Sequence, residues 1–523
     1  MITNTETFTA QLGPLPKQGH AGLLFFAALL ACSAGLIAVA GWLEGSGAWR
    51  HPLIWLATLG QAEALALLSD AAQVLAGVLA ILVTVVAIVL ELSATRYTPR
   101  VTALFVRDPA NLAVMAFFVL TTVLCIWLAI VLTGEVGAAP FIPRGGFLLA
   151  MIMMTGCLLA LLPYFAYVFR FVSPHSVIAR IRAEALARVL RARTGDAGAA
   201  KHAVIHAVED IEDVARGAMK NSDRGIAMAA VEALATLLAD VTNLREKLPD
   251  AWFRVDQAVA HDPDFIAMAP IAIDEVARDR SWFEAKILRQ YLALFGDAVG
   301  SARDVASMIA IHTRRLAGDF ATQPAFLELC QRAFHSYLRA AINGADPRTA
   351  YFVLHQYRVL GESLLTKGLQ PAVFKVADRI CFYGRLANSK GLPFLLEVAA
   401  YDLAQLVEAA ADNRAMRDTL LERLLAIDDE AAEHLLGVCR AQMQLATFFL
   451  LRGEDEPAQQ IARNLTVYRG ALLSATRDEL EREVSPSYWE INDRGTNFAY
   501  LPPERRAKLD AFFAMLNAPM NSA

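Results

Sequence analysis

The chain has 523 residues, 56% of them hydrophobic, with a mean hydropathy of +0.39 and a formal net charge of −5. That length allows two or three domains, and the hydropathy is high for a soluble protein. No basic stripe of the density that nucleic acid demands occurs, which argues against such a partner.

The charge is unevenly placed. The first 172 residues hold seven acids and seven lysines or arginines, so the net −5 rests in the remainder. An apolar front therefore precedes a charge-rich back that is too polar to span a bilayer and long enough to bury its own core. Cys32, Cys125, Cys157, Cys330, Cys381 and Cys439 form no CxxC clip. They read as small apolar fillers, not as a zinc site or a disulfide framework.

After a polar tail, 1–20, four stretches are long enough to cross a hydrocarbon core of about 30 Å: residues 21–43, 71–92, 111–132 and 146–169. Lipid offers no partner to a bare backbone amide, so each is expected to be helical. "AVA" at 38–40 imitates a signal cleavage site, but the apolar stretch is too long and only Lys17 flanks it. Arg96, Arg100 and Arg107 follow the second span, and Arg170, Arg180, Arg182, Arg188, Arg191 and Arg193 follow the fourth. The opposite loops offer Arg50 and Arg144. The positive-inside rule then puts both termini in the cytoplasm, with Arg96, Tyr97, Arg100 and Arg107 as anchors at the inner headgroup layer. Pro99 is expected to end the helix there.

The second span has an unusual face. Steps of four and three pick out Gln73, Gly77, Ala80, Thr84, Ala87 and Glu91, all small or polar, among Val, Leu and Ile. Such a stripe serves close helix packing, with Glu91 paired to Arg96 or Arg100, or it lines the path of an oligomeric channel with Glu91 at the inner mouth. Ala31, Gly35 and Ala38 form a comparable packing face on the first span. Pro163 is expected to kink the fourth, placing Tyr164 and Tyr167 near the interface. Paired broken helices and repeats, the marks of a transporter, are missing.

From 173 to 483 apolar residues recur at helical spacing, as in "RGIAMAAVEALATLLADVTNLREKL", and strand alternation is nearly absent. Asp346 is placed as an N-cap with Pro347 in the first turn. "ATFFLLRGEDEPAQQIARNL" has the cadence of a tetratricopeptide-like hairpin, but no fixed period emerges. The whole reads as an all-α chain: a four-helix transmembrane domain, then a solenoid-like cytoplasmic domain of stacked helical hairpins. The final part, 484–523, opens with an aromatic, Pro-rich loop expected to pack on the helices through Tyr488, Trp489, Phe498 and Tyr500.

Chemistry is sparse. His261, Asp262 and Asp264 in "HDPDF" read as a helix cap before a metal site, and the other histidines read as scattered. No HExxH, Walker A, GxGxxG or GxSxG motif occurs, so no catalytic residue, cofactor or metal is expected. The basic run 180–193 suits apposition to anionic lipid.

The stretch "LELSATRYTPRVTALFVRDPANLAVMAFFVLTTVL", followed by "VFRFVSPHSVIARI", resembles a family of bacterial membrane proteins, domain of unknown function 2254. Ser93, Tyr97, Pro99 and Arg100 carry its phrase, and Glu91 stands where an uncharged polar residue is expected. The resemblance spans about residues 70–185; it implies a bacterial inner-membrane location and supplies no activity. The expected function is a non-enzymatic scaffold or sensor: a homo-oligomer in the lipid bilayer with a cytoplasmic protein partner. The alternative is an ion channel lined by the second span.

Overall fold

A computed structural model describes residues 59–96, 102, 105–133, 142–193, 195, 197–429, 433–490 and 493–517. The first span and its small-residue face lie outside them. Of the described residues 81% are helical, and none lies in a strand. It divides into two units, Met1–Val177 and Ile178–Ala523.

In the first unit, α1 (Gln61–Arg96), α2 (Pro109–Thr133) and α3 (Arg144–Val172) coincide with the second to fourth expected spans. Ala64, Leu68, Ala71 and Leu75 of α1 meet Phe118 and Cys125 of α2 and Phe147, Ala150 and Cys157 of α3. That inward seam repeats at steps of three and four, as two helices in contact require. The outward sides carry exposed Ile81, Leu120, Trp127, Ile152 and Leu162, the surface a lipid tail accepts. Gly156 lets Phe117 close on α3, because a Cβ there would sit 3.3 Å from its ring.

The second unit begins within α4 (Pro174–Arg191), whose Ile181, Ala185 and Val189 are fully buried. Then come α5 (Ala197–Lys220) and α6 (Arg224–Asn243). By length and composition α6 could also cross a membrane, but Ala227, Ala230, Val231, Leu234 and Leu238 are fully buried within the unit. With its apolar faces already covered by protein, α6 is a core helix.

Four short helices follow: α7 (Asp250–Phe253), α8 (Gln257–Ala260), α9 (Pro263–Ile266) and α10 (Pro270–Arg278). The motif "HDPDF" is a cap, as its residues suggest: one Asp262 oxygen accepts from Asp264 N–H at 2.8 Å, and the other takes Lys286 Nζ at 2.6 Å.

The stack proper is α11 (Trp282–Ala298), α12 (Arg303–Asp319), α13 (Pro324–Asn343), α14 (Pro347–Thr366), α15 (Gln370–Ser389), α16 (Pro393–Ala409), α17 (Arg414–Leu425), α18 (Leu436–Arg452), α19 (Asp455–Leu465) and α20 (Gly470–Arg482). The short α21 (Pro503–Arg506) and α22 (Leu509–Asn517) close it. From α11 to α16 each helix packs on the one that follows and on the next but one; beyond them the next-but-one contacts continue, α16 on α18, α17 on α19 and α18 on α20. One layer is α6, α12, α14, α16, α18 and α20; the other is α5, α11, α13, α15, α17 and α19. From α12 to α19, helices begin every 19 to 23 residues, so a period does exist. It is carried by helix length and by Pro324, Pro347, Pro371 and Pro393 at first turns, not by a repeated phrase.

Several of the turns share one construction. A residue at positive φ ends a helix, and the following residue begins the next: Ala345 (φ 49°) before Asp346, Gly391 (79°) before Leu392, Gly453 (75°) before Glu454. In each, the amide of that following residue reaches back to the helix it leaves, as in Leu392 N–H to Ala387 O at 2.9 Å. Asp346 caps α14 through Thr349 N–H as expected, and it also accepts from Gly300 N–H and Arg303. Burial alone would raise its carboxyl, but these hydrogen bonds outweigh it and hold the group below the usual range.

Trp252, Trp282, Tyr291, Tyr337 and Tyr357 are fully buried. Each contributes on the order of 4 kcal/mol, taking about 150–250 Å² of ring surface at about 25 cal/mol/Å². Trp282 Nε1 donates to Trp252 O at 2.6 Å, so its polar edge is not orphaned.

Three imidazoles sit in this core. Burial first, then Arg315, Arg379 and Arg494 respectively, holds His312, His335 and His355 down to about 4. An unfolded chain binds those protons near pH 6.5. Stability that is intact above about pH 6.5 is therefore lost as pH falls towards 4, because the unfolded state takes up protons the folded state refuses. Thermal unfolding should show a lower midpoint at pH 5 than at pH 7.5, on the order of 1 kcal/mol per imidazole. A flat profile over that interval contradicts the assignment.

Candidate functional site

The expected stripe on α1 stays outside the three-helix packing. Gln73, Gly77, Ala80, Thr84, Ala87 and Glu91 are all exposed. A Cβ on Gly77 would meet nothing within 4 Å, and Thr84 Oγ1 bonds its own helix at Ala80 O, 2.8 Å. The stripe lies two residues from the Leu75 seam, which at 100° per residue is the far side of the helix. Near its N-terminal end, Ala62, Ala66, Ser69 and Gln73 of α1 and Thr122 and Ile126 of α2 line an open groove of about 780 Å³.

The polar contacts that hold these helices lie elsewhere. Tyr164 OH donates to Asn111 Oδ1 at 2.7 Å, and Asn111 Nδ2 donates to Phe105 O at 3.2 Å. Tyr167 OH donates to Asp108 Oδ1 at 2.5 Å, and Asp108 also caps α2 through Ala110 N–H. Cys157 Sγ meets Thr121 Oγ1 at 3.4 Å. The two tyrosines thus pin the elbow before α2 in place. Arg107 is exposed in that elbow; Tyr97, Pro99, Arg100 and the side chain of Arg96 lie outside the described residues.

In the second unit the strongest concave candidate lies beneath the tail loop. Residues 493–501 are fastened across the first layer of the stack. Arg494 reaches buried Asp402 at 2.6 and 3.0 Å, donates to Tyr351 O at 2.7 Å and lies 4.2 Å over the Tyr351 ring. Gln444 Nε2 donates to Phe498 O and Tyr500 O. Arg358 Nε also faces Asp402, at 3.2 Å. Phe498 stacks 4.2 Å from Tyr401, as the loop's aromatic content suggests.

The earlier part of the loop departs from expectation. Trp489 is 79% exposed and Tyr488 39%; their rings contact each other at 5.4 Å. The loop is fastened on either side of the two rings, where Asn497 binds Ser485 O and Pro486 O and where Arg348 binds Asp493, and not at the rings themselves.

Between loop and helices lies a cavity of about 550 Å³, lined by Tyr351, Phe394, Tyr488 and Phe498 and by two ion pairs, Arg348–Asp493 and Arg440–Glu479. Its lining holds no histidine or cysteine, and each of these charges has an opposite partner. A larger, polar cleft of about 1050 Å³ opens between the α10–α11 and α12–α13 turns. There Arg245 is taken by Glu284 and Arg280 by Asp250. Among the described residues no cluster of three metal-ligating side chains occurs.

Asp402, Arg494 and Gln444 leave no local signal in the sequence, since their partners lie 44 to 143 positions away. Nor do His202 and His206 stand out in it, although their four-residue spacing is a usable signal.

Apolar helices with lipid-compatible outward sides, joined to a helical stack, define the class: an integral membrane protein. Residues 21–238 match the model of a family described as predicted membrane protein, domain of unknown function 2254. No curated protein and no solved structure matches the chain.

Arg494→Met should free the loop while leaving Asp402 paired with Arg358, at a cost of about 1–3 kcal/mol. Asp402→Ala removes the carboxylate of Arg494 and leaves Arg358 with Glu362 alone, and should cost about 3–5 kcal/mol. Chymotrypsin cleavage near Tyr488 should then quicken in Arg494→Met without global unfolding. Unchanged cleavage would show that the loop is held by its other contacts.

Proposed function

We propose that this chain is a non-enzymatic scaffold or sensor of a bacterial inner membrane, with both termini in the cytoplasm. Its helical stack binds a protein partner, and its membrane helices self-associate. The observation that carries this reading is the tail groove. It crosses parallel helices of one layer, its walls are aromatic, and its roof is fastened by a buried ion pair. Stacked-helix proteins use such surfaces for extended partners. A photo-crosslinking residue placed at Phe394 or Tyr488 should give a discrete adduct in cells, and one at exposed Val467, away from the groove, should not. Equal labelling at all three positions removes the proposal.

The exposed stripe on α1 supports a second reading, an oligomeric channel with α1 facing the path and Glu91 at its mouth. Purified protein in planar bilayers should then conduct cations, and Glu91→Gln should lower the unitary current severalfold. Silence under voltage, tension and pH steps eliminates the channel and leaves the stripe as a packing surface.

A further inference from the structure

Helix α5 presents His202 and His206 on its exposed side, four residues and about one turn apart. Their Nε2 atoms lie 3.2 Å from each other, with ring planes at 75°. The other nitrogen of His206, Nδ1, lies 3.1 Å from Glu209 Oε2. Glu209 Oε1 in turn accepts from Lys286 Nζ at 3.1 Å.

The hydrogen bond to Glu209 decides the tautomer. With its proton on Nδ1, His206 points a bare Nε2 lone pair at His202. A second lone pair cannot face it at 3.2 Å, so a proton or a cation must lie between the two rings. A tetrahedral ion with metal–nitrogen bonds of about 2.0–2.1 Å holds two ligand nitrogens about 3.3 Å apart. The apo spacing is already that of a chelated ion. A carboxylate on the far nitrogen of a ligating histidine is the usual device for fixing ring orientation and raising ligand basicity.

We propose that His202 and His206 form a two-imidazole site for a borderline divalent d-block cation of the zinc class, with Glu209 as the orienting carboxylate. Imidazole donors select such ions over magnesium or calcium, which take oxygen ligands. Local charge permits it. Glu209, Asp262 and Asp264 surround Lys286, with Arg289 3.9 Å from Asp264, so three acids face two bases. No third ligand from the described residues completes the shell. Water fills the remaining positions, and binding is reversible, unlike a closed structural site.

The test uses the full chain, purified in detergent and stripped with chelator. Zinc titration followed by calorimetry should show one equivalent in the parent protein that is absent from His202→Ala and from His206→Ala. Glu209→Gln should keep the stoichiometry and bind about 10–100-fold more weakly. Zinc should raise the unfolding temperature of the parent and of neither alanine variant. Both histidines are exposed, so metal-free unfolding of the alanine variants should match the parent and exclude misfolding as the cause. Identical zinc titrations in the parent and the alanine variants would overturn the site. So would magnesium binding as tight as zinc.

Discussion

Much of the stack rests on one backbone constraint: at Ser222, Arg280, Ala345, Gly368, Gly391 and Gly453 a single left-handed residue closes one helix, and the next helix starts immediately after it. A turn that short can only reverse the chain, so consecutive helices run antiparallel and every second helix runs parallel. The first residues of α6, α12 and α14 consequently come to one edge, where Arg224 meets Asp304 and Arg303 meets Asp346. Side-chain bonds elsewhere repeat the same spacing. Arg314–Gln356, Arg385–Ile427 O and Arg423–Asp378 join residues 42 to 45 positions apart, one helical hairpin along the chain. Glycine takes the left-handed position at Gly368, Gly391 and Gly453, whereas Ser222, Arg280 and Ala345 take it at a cost of about 1–2 kcal/mol each. Two of those three stand directly before a capping aspartate, Asp223 or Asp346, whose side chain offsets part of that cost.

Buried charge fixes what the turns leave free. Lys201 is fully buried and binds Arg254 O and Asp256; Lys286 is nearly so and binds Glu209, Asp262 and Asp264. Both lysines reach into the irregular segment between α6 and α11, where short helices supply little apolar surface. A buried pair adds little net stability over an apolar substitute, yet breaking one strands an ion. Such pairs therefore select one arrangement of that segment over others of similar burial. Asp402 with Arg358 and Arg494 does the same for the tail.

The sequence disclosed what hydropathy and local chemistry control. Three apolar runs became α1 to α3, Asp346 and Asp262 became caps, and the α18–α19 hairpin appeared where its cadence lay. The hairpin period was hidden because it resides in helix length and turn geometry, and buried faces accept many residues of similar volume. The tail anchors were hidden because a contact across more than fifty positions leaves no local pattern. Aromatic content alone misled at Tyr488 and Trp489, since a ring packs only where the backbone is fastened. His202 and His206 were legible by spacing, but only the tautomer imposed by Glu209 gives that spacing a chemical meaning.

The membrane unit shows why a small-residue stripe cannot be assigned by composition alone. Helix α1 has two seams, one of Leu and Ala that meets α2 and α3, and one of small and polar residues that does not. In water the Leu seam would be buried by the hydrophobic effect; in lipid that drive is missing, and fit between surfaces decides. Leu fits here because α3 offers small residues at Ala150 and Cys157, and α2 one at Cys125, in the same cluster. The second seam is flat, and against fluid acyl chains a flat surface forfeits dispersion contacts that another flat helix would supply. Thr84 can satisfy its hydroxyl within the helix, so polarity does not forbid exposure there. The force that would bring a second helix onto the stripe is close backbone approach at Gly77, Ala80 and Ala87, with Gln73 and Glu91 setting which partner can follow.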